Sequence, residues 1–246
     1  MAGLSNGDRM VEVYLWGDSH LTNRHHVSGI LAGELGPRYP LINNACGGKI
    51  FDRAFLDNFR NFLLRDNPNP SFHVISLGGN NIRKEFRRGA FTSDALRQER
   101  ANQEVLLLVE HYRALFEIVS NVPKTKVCVI LPFPSQHKEH EPFFEKLSLY
   151  LEQLSREYGQ FFVDVRDKLS DTSVFQDGLK LRSWSQQHFK DDVHLNEQGG
   201  RMVALEIKRK LVNIPREVFG LQAHRLARHR QFVKSKVENL GRSLSH

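Results

Sequence analysis

The sequence predicts a three-layer α/β/α sandwich built on a central parallel sheet of five strands. Short apolar runs alternate along the chain with longer amphipathic segments, which is the pattern of repeated βαβ units. The apolar runs show little polar alternation, as expected of strands that helices cover on both faces. The predicted strands are Val11 to Trp16, Pro40 to Asn43, Phe72 to Leu77, Lys126 to Leu131 and Gln160 to Val165.

The helices predicted between these strands are defined by apolar residues three or four positions apart. The clearest stripe runs from Val105 to Val119 and indicates a long helix with one buried face. Right-handed crossovers would distribute such helices over both sides of the sheet. Weaker stripes predict helices over Phe51 to Arg65, Phe143 to Tyr158 and Gln198 to Leu211.

A chain of 246 residues can form one sizeable domain with its own core. We assign residues 1–10 to an N-terminal extension, 11–212 to this domain, and 213–246 to a basic C-terminal tail that is either helical or disordered. The net charge of +7 is unevenly spread, because +5 of it falls in the tail. This distribution argues against nucleic-acid binding by the whole domain and makes the tail the expected contact for a polyanion.

Cysteine content and hydropathy bear on the compartment. Cys46 and Cys128 form no CxxC pair and indicate no disulfide framework. The first ten residues, MAGLSNGDRM, lack the apolar core of a signal peptide. No stretch approaches the ~20 apolar residues of a membrane span. We therefore expect a soluble, cytoplasmic protein.

Glycine and polar residues follow four of the predicted strands. In open parallel sheets, ligand sites form beyond the carboxyl ends of the strands, where the loops converge. A long irregular stretch is predicted between the fifth strand and the last of these motifs. The motifs are Gly17-Asp18-Ser19, NNACGGK (43–49), GGNN (78–81) and KDDVHLNEQGG (190–200).

Each motif alone has an ordinary structural explanation. Ser19 could be a helix N-cap, and the two glycine-rich motifs could be simple turns. Asp191 and His194 could be surface residues before a helix that Asn196 caps. The order and placement of the four motifs together favour a shared site.

This ordered set resembles the SGNH hydrolases, also called GDSL-type esterases, over roughly residues 11–212. The resemblance implies a flavodoxin-like α/β/α fold in which Ser19 is the nucleophile. It implies an oxyanion hole formed by Ser19, Gly48 and Asn80. It also implies that Asp191 and His194 complete a catalytic triad.

One position departs from the family pattern. The third motif is usually Gly-x-Asn-Asp, and here Asn81 replaces the aspartate that is thought to brace the loop. Asn81 can still accept a hydrogen bond but brings no charge, so the rigidity of this loop is in doubt. The absence of a G-x-S-x-G elbow argues against an α/β-hydrolase.

These residue types suit acyl transfer. A serine hydroxyl needs a base to take its proton, and the imidazole of His194, with an ordinary pKa of ~6.5, can do so. Asp191 would lie beside that ring if the segment makes one helical turn. Backbone N–H groups of Ser19 and Gly48 and the Asn80 amide would stabilise the oxyanion. We expect a carboxylic ester hydrolase that forms an acyl-enzyme on a small-molecule ester and needs no metal or cofactor.

Several neighbouring residues allow more than one interpretation. Asp192 is an alternative acid that we expect to be exposed to solvent. His20 either lines the pocket or is solvated or hydrogen-bonded locally, and Cys46 is expected to pack beside the oxyanion loop. Four further histidines lack a fitting third ligand for a metal and are expected at the surface. They are His25, His26, His137 and His140.

The sequence contains no recognisable code for the substrate. The segments that would shape specificity are 82–104, 132–142 and 166–189. Five aromatic residues could form an apolar acyl pocket or could simply pack in the core and loops. They are Phe86, Phe91, Phe133, Phe143 and Trp184.

The competing hypothesis is a non-catalytic SGNH-like scaffold that binds RNA or an anionic lipid through residues 213–246. The segments WGDSHL and ISLGGNN also resemble the esterase-like domains of metazoan retrotransposon proteins and the RNA-binding, SGNH-like domain of Oskar. Phosphate contacts by the tail would make binding fall steeply with salt. The oligomeric state is left open.

Overall fold

A parallel sheet forms the centre of the molecule. The computed structural model describes residues 10–22, 26–65, 70–87, 93–131, 138–184, 186–191 and 194–219. Within these ranges the sheet has the strand order β2-β1-β3-β4-β5, which confirms the predicted fold class, and each strand lies within two residues of its predicted bounds. The strands are β1 (Glu12–Gly17), β2 (Leu41–Asn43), β3 (Ser71–Ser76), β4 (Thr125–Ile130) and β5 (Phe161–Val163).

Helices cover both faces of this sheet. The four helices predicted from apolar stripes are all present. Two others, α1 and α3, were not predicted, because α1 is interrupted by glycines and α3 is mostly polar. One face carries α1 (His26–Leu35) and α7 (Glu197–Val212), and the other carries α2 (Arg53–Arg65), α3 (Gly79–Arg87), α4 (Asp94–Ser120) and α5 (Glu141–Glu157).

Side chains of the inner strands alternate between two apolar clusters, one on each face. Every residue of β3 is buried, as the apolar run predicts. The expectation of burial on both faces is wrong for β2 and β5, which are partly exposed. These two strands lie at the sheet edges, where one side has no neighbouring strand to cover it.

Strand register brings the glycine-rich motifs to one edge of the sheet. Gly17 at the end of β1 pairs with Ser76 at the end of β3. The N–H of Cys46 donates to the Gly17 carbonyl at 2.9 Å, which holds the loop after β2 against the end of β1. The first three motifs therefore start at the same level of the sheet.

Residues 170–184 form an antiparallel hairpin where an irregular stretch was expected. Its strands are β6 (Ser170–Gln176) and β7 (Leu179–Trp184). Asp177 and Gly178 form the turn and both have positive φ, at 49° and 76°, as a two-residue hairpin turn requires.

Buried ion pairs join this hairpin to α5. Arg182 of β7 donates to Glu145 of α5 at 2.6 Å. Arg166, in the short helix α6 (Arg166–Leu169), donates to the same carboxylate at 2.7 Å. Glu141, one helical turn earlier, lies 3.6 Å from both guanidinium groups. The chain leading to the fourth motif is thus fixed to the helical layer.

The fold extends beyond the predicted boundary at residue 212. Ile214 and Phe219, which the sequence analysis assigns to the tail, are buried in the cluster beneath α1 and α7. Residues 1–9 and 220–246 lie outside the described residues. None of the helices in the described ranges combines the length and apolar character needed to cross a bilayer.

Candidate active site

Ser19, His194 and Asp191 lie in a hydrogen-bonded row at the carboxyl edge of the sheet. His194 Nε2 is 3.1 Å from Ser19 Oγ, although 175 positions separate them in the chain. His194 Nδ1 is 2.9 Å from Asp191 Oδ2 and 3.0 Å from Oδ1. The imidazole therefore bridges a hydroxyl and a carboxylate through its two nitrogens.

The turn after β1 presents the Ser19 hydroxyl to the ring. A Cβ at Gly17 would approach Leu21 Cδ1 to 2.9 Å and the Ser76 carbonyl oxygen to 3.0 Å, so a larger residue here would have to displace one of these neighbours. The chain then enters a single 3-10 turn, Ser19–Leu21, whose N-cap is Asp18. Asp18 Oδ1 accepts the His20 N–H at 3.1 Å.

Asp18, rather than Ser19, therefore caps this turn. The alternative prediction that Ser19 is the N-cap is therefore wrong, because the capping interaction belongs to the preceding residue. The Ser19 Oγ contacts His194 instead. A single 3-10 turn has a small dipole, so stabilisation of an anion here depends on individual donors.

The loop that carries His194 is closed by antiparallel bonds rather than by a helical turn. The N–H of Lys190 donates to the His194 carbonyl at 2.9 Å, and the N–H of Asn196 donates to the His188 carbonyl at 3.0 Å. Asp191 also accepts the backbone N–H of His194 at 2.7 Å. The carboxylate is thus fixed to both the backbone and the ring of His194.

The loop after β2 is bonded to Gly17 through Cys46 and contains Gly48, whose φ is +73°. Asn43 holds the start of this loop: its amide donates to the Leu21 carbonyl at 2.7 Å and its Oδ1 accepts the Ala45 N–H at 2.9 Å. Asn80 Nδ2 donates to the Lys49 carbonyl at 3.1 Å. The Asn80 amide therefore faces the loop that carries Gly48.

Asn81 braces this region from the opposite side. Its Oδ1 accepts the Phe51 N–H at 2.8 Å, and its Nδ2 donates to the Phe51 carbonyl at 3.0 Å and to Glu104 Oε1 at 2.8 Å. An aspartate could not donate either of the last two bonds. Asn81, the residue that departs from the family pattern, is thus bonded to the Glu104 carboxylate of α4. The loop is therefore still held by side-chain hydrogen bonds.

A buried ion pair joins α3 to the turn that carries Ser19. Arg83 Nη2 is 3.4 Å from Asp18 Oδ2, with side chains 3% and 1% exposed. Burial raises the pKa of the Asp18 carboxyl above its ordinary value, and the charges of Arg83 and His194 oppose that rise. Arg83 was not identified from the sequence, because the mostly polar α3 shows no apolar stripe and the contact with Asp18 is tertiary.

The remaining candidates are dispersed. His20 is buried, with its ring 5.5 Å from that of His194, so it packs beside the site. Cys46 is exposed, which corrects the expectation of a packed side chain, because its loop lies outside the sheet. His26 is exposed, as expected. His140 is buried, with its ring centroid 4.3 Å from that of Phe86, and so is not a surface residue. Asp192, His25 and His137 lie outside the described residues.

The three aromatic residues of the suggested acyl pocket that lie in the described ranges are divided between the two faces of the sheet. Phe86 and Phe143 pack in the cluster on the α4 and α5 face. Trp184 packs in the cluster on the opposite face, with its ring 6.2 Å from that of Phe189. Phe91 and Phe133 lie outside the described residues.

Solved structures with this fold are similar to the chain over most of its length. A lipolytic protein of the G-D-S-L family from Veillonella parvula superposes with a TM-score of 0.60 at 14% identity, covering 83% of this chain and 100% of that one. An acetyl xylan esterase gives 0.57 at 19% identity, covering 81% and 99%. The psychrotrophic esterase EstA from Pseudoalteromonas sp. gives 0.55 at 15% identity, covering 82% and 99%. At these identities the likeness establishes the fold alone.

The sequence itself matches a family model. No curated protein matches the chain. The model of the GDSL-like lipase/acylhydrolase family, however, matches residues 7–202, a range that includes all four motifs. This protein is therefore a member of the GDSL-like lipase/acylhydrolase family.

Proposed function

We propose that this protein is a serine esterase that cleaves carboxylic esters through an acyl-enzyme intermediate. The observation that carries the proposal is the contact of 3.1 Å between Ser19 Oγ and His194 Nε2, on a ring whose other nitrogen meets Asp191. The proposed base is thereby in hydrogen-bond reach of both the proposed nucleophile and the orienting acid, as acyl transfer requires. The acetyl xylan esterase and EstA among the structural neighbours support an ester as substrate.

In the first half-reaction, Ser19 Oγ attacks the acyl carbon while His194 Nε2 takes the hydroxyl proton. Asp191 accepts a hydrogen bond from Nδ1, which selects the tautomer with a free Nε2 lone pair and stabilises the imidazolium that forms. Collapse of the tetrahedral intermediate breaks the bond to the alkoxide, which takes the proton back from Nε2. Water then repeats the sequence on the acyl-enzyme and releases the acid.

The developing oxyanion needs donors that are already in place. We assign them to the backbone N–H groups of Ser19 and Gly48 and to the side-chain amide of Asn80. Removing one such donor typically costs about 10²- to 10³-fold in kcat. The bond from Asn80 to the Lys49 carbonyl supports this assignment, because it keeps the amide beside the Gly48 loop.

Hydrolysis of p-nitrophenyl acetate by the wild type and Ser19→Ala tests the proposal. The wild type should turn the ester over, and Ser19→Ala should retain background rates alone. Ser173→Ala, at an exposed serine of β6, is the matched control and should retain full activity. Turnover that survives in Ser19→Ala would refute the assignment.

A further inference from the structure

Arg83 connects the nucleophile turn to the Asn80 amide. It lies on α3, three residues after Asn80, and its guanidinium is buried. A single nitrogen, Nη2, lies 3.4 Å from Asp18 Oδ2 and 3.2 Å from Asn80 Oδ1. One buried cation therefore contacts the residue before Ser19 and the side chain assigned to the oxyanion hole.

The guanidinium also determines which way the Asn80 amide faces. Arginine nitrogens only donate hydrogen bonds, so Nη2 must meet the oxygen of the amide and not its nitrogen. Nδ2 is then directed to the Lys49 carbonyl, 3.1 Å away, on the side of Gly48. In the reversed orientation, Asn80 Nδ2 would face the donor Nη2 of Arg83, and Asn80 Oδ1 would face the Lys49 carbonyl oxygen, so that neither hydrogen bond could form. Both neighbours thus favour the same orientation.

The contact with Asp18 fixes Arg83 in turn. The Asp18 carboxylate is held by the His20 N–H through Oδ1 and faces Arg83 through Oδ2. Because Asp18 belongs to the turn that carries Ser19, the guanidinium keeps a constant position relative to the nucleophile. A buried pair of this kind is a weak source of stability, which leaves orientation as its main contribution.

We infer that Arg83 is a positioning residue that orients the Asn80 amide toward the oxyanion formed at Ser19. The inference rests on the proposed esterase function and adds a residue to it. Arg83 acts through Asn80 and does not contact the substrate. Its loss should therefore lower kcat and leave KM nearly unchanged.

A double-mutant cycle between Arg83 and Asn80 tests this. The cycle is built on wild-type Asp18, because burial already raises the pKa of this carboxyl, so that it can take up a proton when the guanidinium is removed while Oδ1 still accepts the His20 N–H. Arg83→Met should lower kcat for p-nitrophenyl acetate about 10- to 100-fold, with KM within about twofold. When Asn80→Ala is already present, Arg83→Met should lower kcat no further.

Two single variants complete the design. Arg83→Lys keeps a buried cation with N–H donors and should recover most of the kcat that Arg83→Met loses. Lys84→Met removes a cation from the exposed side of the same helix and should change nothing. Thermal unfolding of each variant identifies any that fails to fold.

The outcomes separate this inference from the proposed function. If Arg83→Met lowers kcat equally with and without Asn80→Ala, the positioning role is overturned. A raised KM with unchanged kcat in Arg83→Met would also overturn it. Undiminished turnover in Ser19→Ala would instead overturn the esterase proposal. If Ser19→Ala is inactive and the effects of Arg83→Met and Asn80→Ala on kcat are additive, the esterase proposal is supported and the positioning role of Arg83 is rejected.

Discussion

At the scale of single residues, the site depends on which side chain serves as cap and which is presented to the imidazole. Asp18 caps the turn and pairs with Arg83, while Ser19 Oγ contacts His194. Four ordered motifs predicted that Ser19, His194 and Asp191 would lie together, and they do; their catalytic roles stay a prediction. Arg83, Asn43 and Glu104 were missed because their contributions arise from tertiary contacts.

The triad assignment predicts graded losses of activity. His194→Ala removes the base and should lower kcat for p-nitrophenyl acetate at least about 10³-fold. Asp191→Asn should cost less, about 10²-fold, because the Asp191 side chain is 50% exposed and water can partly replace it. Asp171→Asn, at an exposed carboxylate of β6, is the control. Full activity in His194→Ala would contradict the assignment.

The brace at Asn81 predicts that the usual family residue is harmful here. Asn81→Asp would place a carboxylate against Glu104 and lose two donated bonds, which should cost about 1 to 3 kcal/mol of unfolding free energy. Adding Glu104→Gln should restore much of it, because the new amide can donate to the introduced carboxylate. Thermal and urea unfolding measure both effects.

The control for this pair is Glu110→Gln, an exposed glutamate on the same helix α4, which should not restore Asn81→Asp. Equal stability of Asn81→Asp and the wild type would mean that Glu104 does not couple to the loop.

At the scale of elements, the ion pairs of Arg166 and Arg182 hold the β6–β7 hairpin against α5. The apolar patterns located every strand of the sheet but missed this hairpin, since nearly all of β6 faces solvent and has no buried face to reveal it. The Asp177-Gly178 pair between two short runs was a usable turn signal. Contacts between elements far apart in the chain, such as that of Arg182 with Glu145, leave no signal in the sequence.

The two α5 carboxylates should differ in their effect on stability. Glu145 makes close bonds to both arginines, at 2.7 and 2.6 Å, whereas Glu141 lies 3.6 Å from each. Glu145→Gln breaks buried pairs and should lower the unfolding free energy by about 3 to 5 kcal/mol, with Glu141→Gln costing much less. If urea unfolding shows equal losses of free energy for the two variants, the distances to the arginines do not predict how much each carboxylate contributes to stability.

Glu141 should also make stability depend on pH. Burial raises the pKa of Glu141 to about 7 despite the nearby arginines, from an ordinary value of 4.5. The folded state then holds a proton that the unfolded state has lost, so between about pH 5 and 7 this carboxyl makes stability fall as pH rises. The neutral Glu141→Gln variant lacks this effect.

The unfolding free energy of Glu141→Gln relative to the wild type should therefore rise between pH 5 and pH 8, on the order of 1 to 3 kcal/mol. A difference that stays constant with pH, or shrinks, would contradict a raised pKa at this site.

At the scale of the whole molecule, alternation of apolar and amphipathic segments was enough to predict a parallel sheet covered on both faces. The end of the domain was harder to predict. Pro215 and the basic residues that follow suggested a boundary at 212, but Ile214 and Phe219 pack beneath α1 and α7. Two buried side chains five positions apart leave no periodic pattern.

Two truncations test this boundary. Deleting residues 213–246 removes Ile214 and Phe219 and should lower the unfolding free energy by about 3 to 6 kcal/mol, from about 1.5 to 3 kcal/mol for each buried side chain. Deleting residues 221–246 keeps both of these side chains and should therefore retain the stability that they supply. The shorter deletion also tests the prediction that the basic tail binds RNA. Binding of RNA by the full chain should weaken steeply with rising salt, and the deletion should abolish it.

The central claim is that Ser19 is a nucleophile activated by His194. A fluorophosphonate probe tests it directly, because the Oγ–P bond forms only as fluoride leaves and the hydroxyl proton passes to a base. We expect intact mass spectrometry to find one phosphonyl group per folded chain, mapped to the peptide containing Ser19, and none in Ser19→Ala or in unfolded protein. Labelling at another residue, or equal labelling of Ser19→Ala, would contradict the account.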